Sequence, residues 1–355
     1  MKKNLFKNMN KTTKSNTITY SMVVAIYLVV QLLVATGSIS SLMKGLLVPV
    51  CVYVIAAISL NLVVGISGEL SLGHAGFMCV GAYSSAFFSV LVGDAMPEML
   101  RFILAILIGA GVAALFGILI GIPVLKLRGD YLAIVTLAFG EIIKNLMNVI
   151  YVGRDSNGLH FSVTDAASLN MEADGQVIVK GALGITGTPK NSTFTVGIIL
   201  ILLVLFIVLN LIHSRSGRAI MAIRDNRIAA ESVGINITKY KLMAFSISAA
   251  IAGAAGVLYA HNLSTLTVKK FDYNTSILIL VFVVLGGIGN IRGSIIAAAI
   301  LTILPEVLRG LSDYRMLIYA VVLIAMMLFN WAPAAINWKE RMKAKIKSKN
   351  VKEAE

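Results

Sequence analysis

The chain has 355 residues, of which 58% are hydrophobic and only 14% charged, and its formal net charge is +14. A composition this apolar excludes an ordinary soluble domain and describes a polytopic membrane protein. The positive charge does not point to nucleic acid, because Lys and Arg gather in short segments beside apolar runs instead of alternating with aromatics along one face.

A helix needs about 20 apolar residues to cross the hydrocarbon. Residues 1–19 carry Lys2, Lys3, Lys7, Lys11 and Lys14 and read as a basic cytoplasmic tail. The apolar run at 20–36 is nearly of span length and lacks a clear small-residue cleavage site, so a retained first helix is expected there and not a signal peptide. Further spans are expected at 45–65, 75–93, 102–125, 131–152, 194–213 and 242–260, then a long apolar region at 276–308 and a last span at 316–333. The segment 153–193 mixes Gly, Asp, Asn, Ser and Thr with Val177-Ile178-Val179, and is expected to form a small external cap containing a short strand. Residues 334–355 form a second basic tail.

The region 276–308 decides the span count. It is interrupted by Gly286-Gly287-Ile288-Gly289-Asn290-Ile291-Arg292-Gly293, too flexible and polar for a continuous lipid-facing helix. Two short spans there give ten crossings, one broken helix gives nine, and a re-entrant hairpin gives eight. Ten and eight both place Lys126, Arg128, the loop 214–241 and the tail from Lys339 onward on the cytoplasmic side, as the enrichment of Lys and Arg in cytoplasmic loops requires, whereas nine puts that tail outside. The expected fold is an all-α polytopic transmembrane helix bundle of about ten spans over 20–333, with eight plus a re-entrant hairpin as the alternative. Both termini are expected in the cytoplasm.

Cys51 and Cys79 sit in apolar segments without paired spacing, and His74, His160, His213 and His261 lack ligand spacing, so no metal site is expected. Nor is there a G-x-x-x-x-G-K-[ST] phosphate loop; if ATP drives the protein, another subunit holds the nucleotide.

Four stretches carry more than span-forming pattern. In the first, Gly65, Gly68, Gly73, Gly76 and Gly81 break regular helix and let backbones approach, while Glu69, Ser71 and His74 place polar groups at the membrane edge. This is either a substrate-lining or gating segment or a cytoplasmic turn between spans. In the second, Arg128-Gly129-Asp130 opens a helix with the acid near its amino end, and Glu141 and Lys144 lie three residues apart inside a span. They either neutralise each other on the helix or line a substrate path. The third, the 214–241 loop, sets Ile220, Ile223 and Ile228 near helical spacing with Arg224 and Arg227 between them, followed by Ala229, Ala230 and Gly234. It reads as a short helix, a tight turn and a second short helix whose small residues permit docking into a groove on another protein; the alternative is a solvated basic loop. The fourth is the glycine break itself: discontinuous helices point main-chain dipoles into a cavity, a way to hold a zwitterion without placing full charges in lipid.

These stretches together resemble the permeases of branched-chain amino acid ABC importers, the Liv family. Gly217-Arg218-Ala219, Ala222-Ile223-Arg224, Ala229-Ala230 and Gly234 are similar to the family's coupling loop, although Ile228 stands where the generic importer pattern carries an acid. Ser71-Leu72-Gly73-His74-Ala75, Phe77 and Gly81-Ala82-Tyr83 resemble a second motif, Val284-Leu285-Gly286-Gly287 with Gly289 and Gly293 a third, and Arg128-Gly129-Asp130-Tyr131 with Phe139-Gly140-Glu141-Ile142-Ile143 points to the larger of the two permease subunits. The resemblance covers residues from about 50 to 310 and makes 20–333 the permease domain of a multi-pass bacterial plasma-membrane protein. It implies a second homologous permease, two cytoplasmic ATPase subunits carrying ATP and magnesium, an external solute-binding protein and an amino-acid substrate, with no cofactor on this chain and no catalysis by it. ATPase coupling is then expected at Gly217, Arg218, Arg224, Asp225, Ala229, Ala230 and Gly234, and a translocation path near Gly73, His74, Gly76, Gly140, Glu141, Lys144, Gly286, Gly287 and Gly289. Transport of urea or short amides is the alternative within the family. An ion-coupled secondary transporter using Glu141 and Lys144 as a relay is the alternative outside it.

Overall fold

The computed structural model describes residues 11–38, 40–127, 129–172 and 175–331. Arg128, Lys2, Lys3, Lys7 and the basic tail from residue 334 lie outside the described residues. The chain divides into two compact units, one through Ala299 and one from Ile300 onward.

In the first unit the helices are α1 (Lys11–Ala35), α2 (Ser41–Asn61), α3 (His74–Val92), α4 (Glu98–Val124), α5 (Asp130–Val149), α6 (Phe194–His213), α7 (Arg215–Asp225), α8 (Arg227–Ser232), α9 (Ile237–Ala260) and α10 (Tyr273–Gly286). Helix α11 (Ile291–Val307) begins in this unit and ends in the second, which continues through a 3-10 segment at Leu308–Tyr314 into α12 (Arg315–Trp331). Side chains that accept from early amides mark many starts: Ser40 for α2, Thr193 for α6, Ser214 for α7, Asn226 for α8, Asn236 for α9 and Asp272 for α10.

Among the described residues eight helical stretches are long and apolar enough to cross a membrane: Thr13–Ala35, Ser41–Ser67, His74–Val92, Glu98–Val124, Asp130–Val149, Phe194–His213, Ile237–Ala260 and Ile291–Gly310. The helix α10, with 14 residues, is shorter; at 1.5 Å per residue it spans about 21 Å against roughly 30 Å of hydrocarbon. The expected break is present: α10 ends at Gly286, Gly287 and Gly289 take positive φ angles of 94° and 80°, and α11 starts at Ile291.

Helix α9 is the centre of the unit and packs on α2, α3 and α4. In lipid, helices associate through close van der Waals fit, so small residues mark the crossings. A Cβ on Gly81 of α3 would overlap the backbone of Gly253 on α9, one on Gly253 would overlap Ala113 of α4, and one on Gly256 would overlap the Met78 backbone. Cys51 and Cys79 are buried and unpaired within this packing.

The cap is larger than Val177-Ile178-Val179 announces. β1 (Tyr151–Asp155), β2 (Gly158–Ser162), β3 (Gln176–Lys180), β4 (Ile185–Thr186) and β5 (Thr265–Leu266) form an antiparallel sheet in the order β2-β1-β3-β4-β5. The last strand comes from the α9–α10 connection and pairs Leu266 with Ile185, so the sheet ties that connection to the cap. At the β1–β2 turn, burial of the Asp155 carboxyl works against ionisation. Amide hydrogen bonds from Glu172 and Asn157 and the pairing with His160 outweigh it and hold Asp155 below the usual carboxylate range.

The glycine contacts give a direct test. Gly81→Val forces the α3–α9 crossing apart, an overpacking cost of about 1–3 kcal/mol, whereas Gly111 on α4 has no neighbour in reach of a Cβ. Thermal unfolding in detergent is expected to show a lowered midpoint for Gly81→Val and an unchanged one for Gly111→Val.

Candidate functional site

One end of the first unit gathers the segment α7–α8, the turn after α2 and the break between α10 and α11. Helix α7 is amphipathic: Ile220 packs with Leu62, Ile66 and Ala244, and Ile223 packs with Ala230 and Ile237. Its start is fixed by Gly217, where a Cβ would overlap the carbonyls of Leu211 and Ile212. The turn after α8 closes with Gly234 at φ 82°, its amide bonded to the Glu231 carbonyl and the Ile235 amide to the Ala230 carbonyl. Arg218 donates to the His213 carbonyl at 3.0 Å, and Asp225 accepts from Arg224 Nε and Nη2 at 3.0 and 2.8 Å.

The expected small docking surface is divided by this geometry. Ala230, 3% exposed, faces inward between α7 and α9, so its size serves packing within the chain. Ala229 is exposed and Gly234 faces open space, while Ile228 and Val233 are 80% and 74% exposed. The outward apolar surface of α8 and its C-cap is therefore Ile228, Ala229 and Val233.

Beside it, α2 ends in a π-helical turn, Leu62–Ser67. Wide turns of this kind release backbone groups and recur at functional sites. Here the Gly65 carbonyl accepts Arg224 Nη1 at 2.9 Å, and the Arg224 stem lies against Gly68, whose φ is 75°. Lys241 of α9 pairs with Glu69 just past the turn, both largely buried. Asn61, the last residue of α2, accepts from the Gly289 amide at 2.9 Å and donates to Ser294 Oγ at 2.8 Å. Gly286 and Gly293 pack backbone to backbone across the break, as Cβ overlap at either position shows.

The other expected path residues fall into two groups. Gly73, Gly76 and Gly140 meet where α3 crosses α5: a Cβ on Gly73 would overlap the Thr136 carbonyl, and one on Gly76 the Gly140 Cα. They are helix-crossing glycines. His74 is buried at the start of α3, with Nε2 at 2.9 Å from Ser248 Oγ and 3.2 Å from Ser59 Oγ. Each of these serines donates to the other's backbone carbonyl at 2.7 Å, which uses its single proton, so His74 Nε2 is the donor to them.

Glu141 and Lys144 do pair on α5, about a quarter exposed. They are not isolated. Glu141 Oε1 also accepts the Tyr273 amide at 2.9 Å at the start of α10, and Lys144 lies within Coulombic reach of Asp272. The pair thus anchors the start of the short helix. Asn61, Ser59, Ser248, Ser294 and Asp272 carry these networks and were missed in the sequence. A lone Asn at the end of an apolar span was the available signal, since buried polar groups in membranes seek partners.

The apolar helices that carry these elements describe a multi-pass membrane protein. A family model described as branched-chain amino acid transport system / permease component matches residues 42–329. The LivM high-affinity branched-chain amino acid transport system permease protein of Salmonella typhimurium is 35% identical over 311 residues, 85% of this chain and 71% of that protein. LivM of Escherichia coli strain K12 is 35% identical over 312 residues, 84% and 70% respectively. The permease protein LivH of Salmonella typhimurium is 24% identical over 255 residues, 70% and 79% respectively. No solved structure matches the chain. The chain belongs to the branched-chain amino acid transport system permease family.

Two outcomes follow from the geometry. Ala230→Leu is expected to disrupt the seat of α8 and raise protease cleavage between 226 and 236, whereas Ile228→Ala leaves cleavage unchanged because its side chain touches little of this chain. On α5, Glu141→Ala removes both the partner of Lys144 and the acceptor of the Tyr273 amide, while Glu141→Gln keeps the acceptor. Glu141→Ala should therefore lower the thermal midpoint more than Lys144→Ala does, with Glu141→Gln recovering much of the loss; a lost charge-assisted hydrogen bond is worth about 1.5–3 kcal/mol.

Proposed function

We propose that this chain is a permease subunit of an ATP-driven importer for branched-chain amino acids, acting with a second homologous permease, two cytoplasmic ATPase subunits and an external solute-binding protein. The observation that carries the reading is α8, which offers Ile228, Ala229 and Val233 outward on a loop stiffened by three side-chain caps and a glycine turn. An apolar, preorganised helix of this kind fits a hydrophobic groove on a partner. The names of the relatives, two LivM proteins and a LivH, support the substrate class and the second permease. The sequence carries no G-x-x-x-x-G-K-[ST] phosphate loop, and in this reading the ATPase subunits hold ATP and magnesium. Movement of α7–α8 with the ATPases would then rock the bundle between outward-open and inward-open states. In this reading both termini, the α7–α8 loop and the α10–α11 break face the cytoplasm, and the β-sheet cap faces outward toward the binding protein.

The complete complex reconstituted in vesicles is expected to accumulate labelled leucine, isoleucine or valine only with ATP and binding protein, and to be indifferent to a protonophore. Urea or short amides taken up in preference to these amino acids would move the substrate to the other branch of the family. Accumulation by this chain alone, collapsing with the ion gradient, would overturn the reading in favour of secondary transport.

A further inference from the structure

We infer that Arg224 and Asn61 form a mechanical relay which joins the α7–α8 loop to the α10–α11 break, so that displacement of the loop repositions the break. The inference rests on the reading of the chain as an ATP-driven permease and names the residues that carry the motion inside it.

The relay is contiguous. Arg224, at the carboxyl end of α7, donates Nη1 to the Gly65 carbonyl at 2.9 Å, and its aliphatic stem lies on Gly68. Gly65 sits inside the π-helical turn and in direct contact with the break: a Cβ there would overlap both Asn61 Oδ1 and the Gly289 backbone. One helical turn before Gly65, Asn61 uses both ends of its amide on the break, accepting from the Gly289 amide at 2.9 Å and donating to Ser294 Oγ at 2.8 Å; Ser294 donates on to the Asn290 carbonyl at 3.3 Å. Every link from α7 to the start of α11 is thus a hydrogen bond or a backbone contact.

The arrangement favours transmission over absorption. Asn61 and Ser294 are fully buried, so neither finds a substitute partner in water when its bond is strained. Gly287 and Gly289, both at positive φ, form the element of this region that can change backbone angles at low cost. A stiff lever therefore ends on a soft joint, which is what converts a shift at one site into a discrete change at another. Arg224 acts as a positioning residue: its guanidinium reaches the Gly65 carbonyl from α7 while also held by Asp225, a two-sided grip that the single ammonium of lysine does not reproduce.

The test uses the full complex with its ATPases and binding protein. The substitution Ile288→Cys, at an exposed position in the break, serves as the reporter. In the otherwise unaltered complex its labelling rate is expected to change between nucleotide-free and ATP-bound states; a rate indifferent to nucleotide overturns the relay without any further variant. Arg224→Lys and, separately, Asn61→Ala are expected to flatten that nucleotide dependence and to raise the ATP hydrolysed per amino acid transported by about tenfold, the scale of one buried hydrogen-bonding group left without its partner. The double variant should be no worse than the more severe single one, as for two links in series. An unchanged ratio with a retained nucleotide response in Arg224→Lys overturns the inference. So does a proportional fall of hydrolysis and transport, which would place Arg224 in ATPase engagement and leave the permease reading intact. Where Arg224→Lys fails to assemble, Asn61→Ala, away from α8, decides on the same readouts.

Discussion

In hydrocarbon no water is available to complete a backbone that leaves the helical ladder, so each irregular turn must find its partners within the protein. The Asn61 side-chain amide meets that requirement for the break between α10 and α11. It supplies an acceptor to the Gly289 amide and a donor to Ser294, and both residues of the pair are fully buried. Without it, the buried Ser294 hydroxyl would lose its donor and the Gly289 amide, at the positive-φ break, its acceptor. The π-helical turn that follows Asn61 depends on the same economy of partners, its Gly65 carbonyl being completed by Arg224 from α7.

Around this point the structure alternates stiffness with freedom. The α9-centred packing is held by glycine and alanine contacts that fix helix axes within narrow limits, and His74 ties α2, α3 and α9 through one ring nitrogen and two serines. The short helix α10 is held at its start by Glu141 and the Asp272 cap, and it ends at the positive-φ glycine break to which Asn61 is bonded. The helix is thus clamped at its start and stops at a glycine break, and its 14 residues are too few to cross the bilayer alone. The sheet reinforces the clamped end, because β5 joins the α9–α10 connection to the cap.

On the proposed reading, the same contrast would let the α7–α8 loop serve another subunit while belonging firmly to this one. Ile220, Ile223 and Ala230 bury its inner face, and Ile228 and Val233 are left outward. A partner docking on that outer face would push on a segment whose inner face is already bonded to the end of α2. Binding energy at that surface would then be available for displacement and would not be consumed in ordering the loop.

Much of this was legible in the chain. Apolar runs of span length, the polar 214–241 loop, the glycine break and the basic clusters define a multi-pass bundle with a helix-turn-helix loop, because bilayer thickness and the chemistry of capping residues act locally along the sequence. The pairing of Glu141 with Lys144 was readable for the same reason, three residues apart on one helix. Tertiary structure alone decided which small residues face inward. Ala229 and Ala230 are alike in sequence, yet only packing of α8 on α7 and α9 buries the second. It also decided that Gly73, Gly76 and Gly140 meet at one crossing, that β5 completes a sheet begun more than a hundred residues earlier, and that Asn61 reaches Gly289 and Ser294. These contacts join residues far apart in the chain, and no periodicity or local propensity encodes which distant backbone a given side chain will complete.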